Sequence, residues 1–548
     1  MNILLFGVIT LLIPAISLAS PTTRASKPNF IFIIVDDMDN GYLNSTSVMP
    51  NLVSNIIEQG ITFTSAYVTS PKCCPSRTSL FSGRMPHNIG DIEHGWCGNF
   101  TANRENNWLT SLNQNNDYTI MQVGKWYNQE GTFCVPGYVP AWKNGTSLPS
   151  QLSSFYGLCD EVCYYNYSMN INGKIEYYGD QPTDYMTSVF GNYTINWLDN
   201  MLTNHVDMPF LMYVAPHAPH LPALPAPWYM DAPVPMNNNQ HIAPRTPIFN
   251  TGWEDKSFFI NNGIDKPMSK ALINGSDTLW AHRLRTLMSV DDMIHDIFDL
   301  LTEKQALDNT YIIFTSDHGY HLGGYGIWSE KSNPYDSDSN VLLTMRGPGI
   351  PVNSISQNLV SMNVDIPATI LELSGIPNTW PDNSGQRDGT SLIPLWNTPS
   401  TEVTENITYP ALLHPPSIYL SSPSTWRDRV LIQYVGWSNL QWLMPCSYGL
   451  TDGPCPKNAP AGVVDAISNA YTSLRIINNT HNTLFADYRP YQSPLNTSAT
   501  NWTEIYDLLT DPYELTNLAV KNRLPRSVIE QMRTELWDYA TCFGQTCP

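Results

Sequence analysis

The chain has 548 residues, enough for two or more domains around a large buried core. Its 48 acidic residues outnumber 28 basic ones, and the formal charge of −20 argues against nucleic acid or an anionic membrane as a partner. Ten cysteines fit an oxidising compartment but are too few to scaffold so long a chain.

Residues 1–19 read as a secretory signal: an apolar stretch from Ile3 to Ile13, the helix-breaking Pro14, then small residues at Ser17 and Ala19. No later apolar run approaches the roughly 20 residues that a membrane span requires. The expectation is a protein exported through the endoplasmic reticulum, secreted or, alternatively, lysosomal. N-x-[ST] sequons at Asn44, Asn99, Asn144, Asn166, Asn192, Asn274, Asn406, Asn478, Asn496 and Asn501 predict glycosylation on that route. Cys446 with Cys455 and Cys542 with Cys547 are candidate short-range disulfides.

Asn29–Val35 is a continuous apolar run of the kind buried on both faces of a sheet. Further strands are predicted at 61–68, 118–123, Phe210–Ala215, 311–315 and 341–345, with helices near 49–58, 187–202, 279–301 and 365–373. This alternation predicts an α/β fold: a large, mainly parallel sheet flanked by helices. Such sheets bind ligands beyond the carboxyl ends of their strands. Asp36-Asp37, His217 and Asp317-His318 each close one of these runs, which points to one shared site. After about residue 400 the runs 407–413, 430–435 and 473–477 are separated by Pro, Gly and Asn-rich loops, and a helix near 527–539 closes the chain. The division expected is a signal at 1–19, a catalytic domain at 20–400 and a smaller antiparallel domain at 401–548. The Pro- and Asn-rich stretch 221–267 is expected at the surface beside the site.

Adjacent carboxylates at a strand end repel unless a cation or protons neutralise them, so Asp36-Asp37 is a candidate hard-metal site. The segment from Pro75 to Arg84 begins with Pro and has few breakers, which predicts a helix whose N-terminus lies at Cys73 and favours an anion there.

The run Cys73-Cys74-Pro75-Ser76-Arg77, continued by Gly83-Arg84, resembles the signature of the type I sulfatases. Register selects Cys73 as the position that this family oxidises to formylglycine, whereas Cys74 abuts the proline. The resemblance implies an alkaline-phosphatase-like fold, a formylglycine-generating enzyme as partner during maturation, and one divalent metal, calcium in most of the family. Its metal set would be Asp36, Asp37, Asp317 and His318 with residue 73 itself. His318 offers nitrogen where many relatives carry an asparagine oxygen. Arg77 would hold the hydrated aldehyde. Lys125 in Gly124-Lys125-Trp126, His217 in Ala215-Pro216-His217-Ala218-Pro219 and Lys331 match cations that contact sulfate. Many sulfatases carry His two residues after that first Lys. Here it is Tyr127 followed by Asn128, as in the N-acetylglucosamine-6-sulfatase subgroup. Met345–Gly349, Asp388–Leu392 and Ile505-Tyr506-Asp507-Leu508 are further landmarks. His94, His220 and His321 are read as structural or rim residues.

The implied activity is hydrolysis of sulfate monoesters, from N-acetylglucosamine-6-sulfate in glycans or from aryl sulfates. The hydrate at residue 73 would attack sulfur with Asp317 as base, and His217 or Lys331 would protonate the leaving alcohol. An acidic enzyme for anionic substrates must concentrate positive charge locally. Two alternatives are a phosphatase or phosphodiesterase of the same superfamily, and a secreted glycan-binding protein on a catalytically dead scaffold.

Overall fold

The computed structural model describes residues 27–40, 45–89, 107–116, 118–128, 133–144, 148–159, 163–236, 242–257, 260, 267–379, 385–397, 400–402, 418–420, 423, 425–434, 470–478, 480–489 and 502–547. Asn29–Val35 is a strand buried along its whole length. Its side chains divide by the period of the pleat: Phe30, Phe32 and Ile34 join one apolar cluster, and Ile31, Ile33 and Val35 join another. A strand of this kind belongs in the middle of a sheet covered on both faces.

The sheet has 12 strands. In spatial order they are Ser400–Glu402, Ile418–Leu420, Ser354–Ser356, Ile61–Phe63, Leu343–Arg346, Thr310–Ser316, Asn29–Val35, Phe210–Ala215, Thr119–Gly124, Ser154–Leu158, Ser168–Ile171 and Lys174–Tyr177. The five from Thr310–Ser316 to Ser154–Leu158 run parallel, and Leu343–Arg346 inserts antiparallel to both its neighbours. Helices Met186–Asn204 and Lys270–Glu303 pack on the face carrying Ile31 and Ile33. Helices Cys73–Ser82, Trp108–Asn116 and Met362–Leu373 cover the opposite face. The run expected as one strand at 61–68 breaks at a turn into Ile61–Phe63 and Ala66–Tyr67.

A second sheet is an antiparallel meander of four strands, Arg429–Tyr434, Ala470–Ile477, Asn482–Arg489 and Trp502–Asp507. Its Leu431, Leu474, Phe485 and Ile505, with Leu536 of the closing helix Arg526–Tyr539, pack on Met85 and Val364 of the larger part. Strands Ser400–Glu402 and Ile418–Leu420 still belong to the edge of the large sheet. The run 407–413, the pair Cys446 and Cys455, and the signal at 1–19 lie outside the described residues.

Disulfides join Cys134 to Cys159 and Cys542 to Cys547, the second as its spacing suggested. Cys74 is disulfide-bonded too, while Cys73 and Cys163 keep their thiols. No helix among the described residues is long and apolar enough to cross a membrane.

Helix Cys73–Ser82 is buried on nearly every side although its side chains include Ser76, Thr78, Ser79 and Ser82. Two of these hydroxyls turn back on the helix itself: Thr78 donates to the Cys74 carbonyl at 2.8 Å and Ser82 to that of Thr78 at 2.7 Å. Pro75 falls in the first turn, where its missing N–H costs nothing. The helix ends at Gly83, whose φ of +68° places it in the left-handed region; a Cβ there would stand 2.4 Å from Arg387 Cδ. Gly83→Ala is therefore expected to cost roughly 1–3 kcal/mol. A thermal unfolding midpoint equal to that of the parent chain would contradict this account of the helix end.

Candidate active site

Strands Thr310–Ser316, Asn29–Val35, Phe210–Ala215 and Thr119–Gly124 are consecutive and parallel, so their carboxyl ends share one edge. Neighbouring strands lie about 4.8 Å apart. The residues that follow them, Asp317-His318, Asp36-Asp37, Pro216-His217 and Lys125, are thereby set side by side. Lys125 depends on Gly124, at φ +90°, because a Cβ there would meet the Ala215 carbonyl oxygen at 2.1 Å. Asp37 adopts a φ of 71°, a strained conformation for a non-glycine residue and one that clusters at functional sites.

Helix Cys73–Ser82 brings its N-terminus to this edge. Ser76 donates to the Asp317 carbonyl, and Asn363 bonds the Ser76 hydroxyl at 2.8 Å and the Thr69 amide at 2.7 Å. Cys73 Sγ then lies 3.2 Å from His318 Nε2 and 3.7 Å from Asp36 Oδ1. One turn on, Arg77 Nε donates to Asp317 Oδ2 at 3.0 Å, and its Nη1 reaches the Lys125 carbonyl at 3.2 Å and the Tyr213 hydroxyl at 3.3 Å.

The remaining cations close around the carboxylates. Lys125 Nζ donates to Asp36 Oδ2 at 2.6 Å, and Lys331 Nζ donates to both Asp37 oxygens at 2.9 and 3.0 Å. Lys331 sits between Glu330 at φ 123° and Ser332 at φ 89°, so backbone strain brackets it. His217 Nδ1 lies 3.6 Å from Asp36 Oδ2, and its Nε2 faces the Leu221 carbonyl at 3.1 Å. Every side chain that the motifs singled out for catalysis or metal binding thus converges here, all of them buried. Of the three other histidines, His220 reaches the rim, its Nε2 3.8 Å from Asp37 Oδ2 and its side chain 20% exposed. His321 bonds Asp338 at 2.9 Å, and His94 lies outside the described residues.

Two participants had no linear signal. Arg283, midway along the long helix, donates to the backbone carbonyls of Asp37 and Pro219 and stacks on Tyr320 at 3.8 Å. Tyr213 lies inside an apolar strand and receives Arg77. Both are brought in by packing rather than by neighbours in sequence.

Burial by itself would raise the carboxyl of Asp36, but Lys125, His220, His217 and Arg77 hold it well below the usual range. Burial would raise Asp37 too, but Lys331, His220 and His318 together hold it below the usual range. Asp317 goes the other way, pushed up to about 6 by burial and by the charge of Asp36. Burial opposes the charge of His318, yet Asp317 and Cys73 raise it to about 9. Burial and His220 push His217 down to about 4.

These residues fit a hard divalent cation. Ligand atoms of Asp36, Cys73, Asp317 and His318 all lie within 4.8 Å of one another, and so do those of Asp36, Asp37, Cys73 and His220. Three buried carboxylates with one imidazole form an oxygen-rich donor set. Beside it, Arg77 Nη2 and His217 Nδ1 are buried without a hydrogen-bond partner among the described residues, which suits an incoming anion.

The sequence profile of the sulfatase family matches residues 28–376. The human N-acetylglucosamine-6-sulfatase is 30% identical over 537 residues, covering 95% of this chain and 86% of that protein. An arylsulfatase of Volvox carteri is 27% identical over 557 residues, covering 95% and 76%. A solved structure, described as in complex with its substrate D-glucosamine-2-N,6-O-disulfate, shares the fold with a TM-score of 0.65 at 19% identity, covering 93% of this chain and 98% of that one. The chain belongs to the sulfatase family, and it is a sulfuric ester hydrolase.

Binding of a divalent cation to the folded chain alone must stabilise it, by about 2.7 kcal/mol at a hundredfold excess over Kd. Chelator dialysis should therefore lower the thermal midpoint by a few degrees, and calcium should restore it. A midpoint indifferent to both treatments would remove the metal from this site.

Proposed function

We propose that this sulfatase removes 6-sulfate from N-acetylglucosamine residues of glycans, with aryl sulfates as its second substrate class. The observation that carries the chemistry is the position of Cys73, at a helix N-terminus and in contact with Asp36 and His318. The substrate reading rests on the relatives and on Tyr127-Asn128 after Lys125.

In this reading Cys73 is converted to formylglycine, whose hydrate supplies an oxygen nucleophile toward sulfur and a second hydroxyl through which sulfate is afterwards expelled. Asp36, Asp37, Asp317 and His318 would hold one divalent ion, calcium by preference, which supplies Lewis-acid stabilisation of anionic oxygen. Asp317, raised to about 6 by burial and by Asp36, takes the proton of the attacking hydroxyl. Arg77 orients that oxygen from within its own helix. Lys125, His217 and Lys331 neutralise the sulfate oxygens, which would otherwise enter a buried site uncompensated. The proton for the departing alcohol comes from His217 or Lys331.

The chain would mature in the oxidising secretory pathway, where the converting enzyme acts. Secretion is the favoured destination and the lysosome the second. Five of the sequon asparagines, Asn144, Asn166, Asn192, Asn274 and Asn478, are exposed and open to glycosylation; the other five lie outside the described residues. As part of this proposal the chain divides near residue 400 into a catalytic unit and a smaller C-terminal unit, with the edge strands Ser400–Glu402 and Ile418–Leu420 joining the sheet of the first.

Three measurements test the reading. Mass spectrometry of the tryptic peptide 73–77 from active protein should find an aldehyde at residue 73, and an intact thiol there would overturn the mechanism. Cys73→Ser, which lacks the second hydroxyl, should be inactive or arrest as a sulfated adduct, whereas steady turnover would refute the scheme. His217→Ala and Lys331→Met should both weaken hydrolysis. The one that supplies the proton should lose about 10²- to 10⁴-fold on a sugar sulfate and far less on nitrophenyl sulfate, whose leaving group needs no proton.

A further inference from the structure

The cations of the site described above are all engaged. Lys125 pairs with Asp36, Lys331 with Asp37 and Arg77 with Asp317. Lys72 is the exception. It directly precedes Cys73 and caps the motif helix with extended backbone, at φ −150° and ψ 137°, its carbonyl accepting from Ser76 at 2.9 Å. Its half-buried ammonium has no hydrogen-bond or ion-pair partner among the described residues. Burial and Lys331 oppose its charge, and Glu330, Tyr434 and Cys73 lie near enough to outweigh them. Glu330 makes no direct ion pair with it, and that carboxylate also stands 3.7 Å from Lys331.

Lys72 begins the motif helix, and the groups that favour its charge come from the strained segment 330–332 and the end of strand Arg429–Tyr434. The last is anchored to the segment before Lys72, where Gln433 donates to the Thr69 carbonyl at 2.8 Å. A half-buried ammonium without a direct hydrogen-bond or ion-pair partner among the described residues, one residue before the nucleophile in a protein of charge −20, is suited to an anion brought by the substrate.

We propose that Lys72 is a positioning residue that binds a second anionic group, a sulfate or a carboxylate, carried on the substrate beside the scissile sulfate ester. This rests on the sulfatase activity itself and not on the choice of sugar. The group sets which esters bind well and takes no part in bond breaking.

The test compares KM and kcat for two matched pairs: glucosamine 6-sulfate bearing N-sulfate or N-acetyl, and phenyl sulfate with or without a ring carboxylate. The parent enzyme should favour the doubly anionic member of a pair. Lys72→Gln should erase that preference by raising its KM about tenfold, the loss of one charge-assisted hydrogen bond, with kcat little changed. Lys72→Arg should keep it. Lys72→Met repeats the measurement if the Gln variant does not fold. A preference absent from the parent, a preference unchanged in the variant, or an equal loss on both members overturns the proposal. Failure of the parent enzyme on the glucosamine pair alone refutes the substrate reading above and leaves the phenyl pair to decide Lys72.

Discussion

Three carboxylates, Asp36, Asp37 and Asp317, stand fully buried within a few ångströms of one another, and the architecture of the site follows from that crowding. Two like charges 4 Å apart repel by about 4 kcal/mol at an effective dielectric constant of 20. Parallel strands leave no alternative, since residues that follow adjacent strands cannot move apart. The chain answers with buried cations from three other places, Arg77 on the motif helix, Lys125 after a further strand and Lys331 in a strained turn, with the imidazole of His217 beside them. Even so, Asp317 retains a raised affinity for protons. Residual negative charge in a set of oxygen donors is what a divalent cation requires.

The smaller sheet contributes nothing to that cluster, yet it grips both segments that carry it. Tyr335 donates to Glu504 at 2.8 Å and Arg475 pairs with Asp336 at 2.9 Å, five residues past Lys331. Lys256 lies over the rings of Tyr325, Tyr335 and Tyr506 at 3.9 to 4.1 Å, joining the same turn to the last strand. On the other side, His87 bonds Gln433 at 2.8 Å and the Cys542 carbonyl at 2.9 Å, so the chain end is tied down just beyond the motif helix. Rigid support of this kind suits a site whose groups must hold their geometry against mutual repulsion.

The net charge of −20 and an anionic substrate are reconciled by distance. Surface acids are screened over roughly 8 Å at physiological salt, while buried cations act at contact through a low dielectric. Arg77 Nη2 and His217 Nδ1, 4.0 and 3.6 Å from Asp36 Oδ2, make no hydrogen bond among the described residues and suit such an anion.

Much of this was legible before any coordinates. The strand Asn29–Val35, the closing positions of Asp36, His217 and Asp317, and the helix starting at Cys73 follow from apolar periodicity and turn chemistry, which are local properties. Motif spacing supplied the family, because a nucleophile, a proline and an arginine one turn later must keep fixed offsets on a helix. What the chain alone could not disclose is contact between distant segments: Arg283 on the Asp37 carbonyl, Tyr213 under Arg77, or the partner of Lys331. Nor could it show that a serine-rich helix is buried, since hydroxyls satisfied on their own helix give no amphipathic pattern. Sequence determines which groups lie at strand and helix ends. Only packing decides which charges face one another, because electrostatic partnership depends on separation in space and not along the chain.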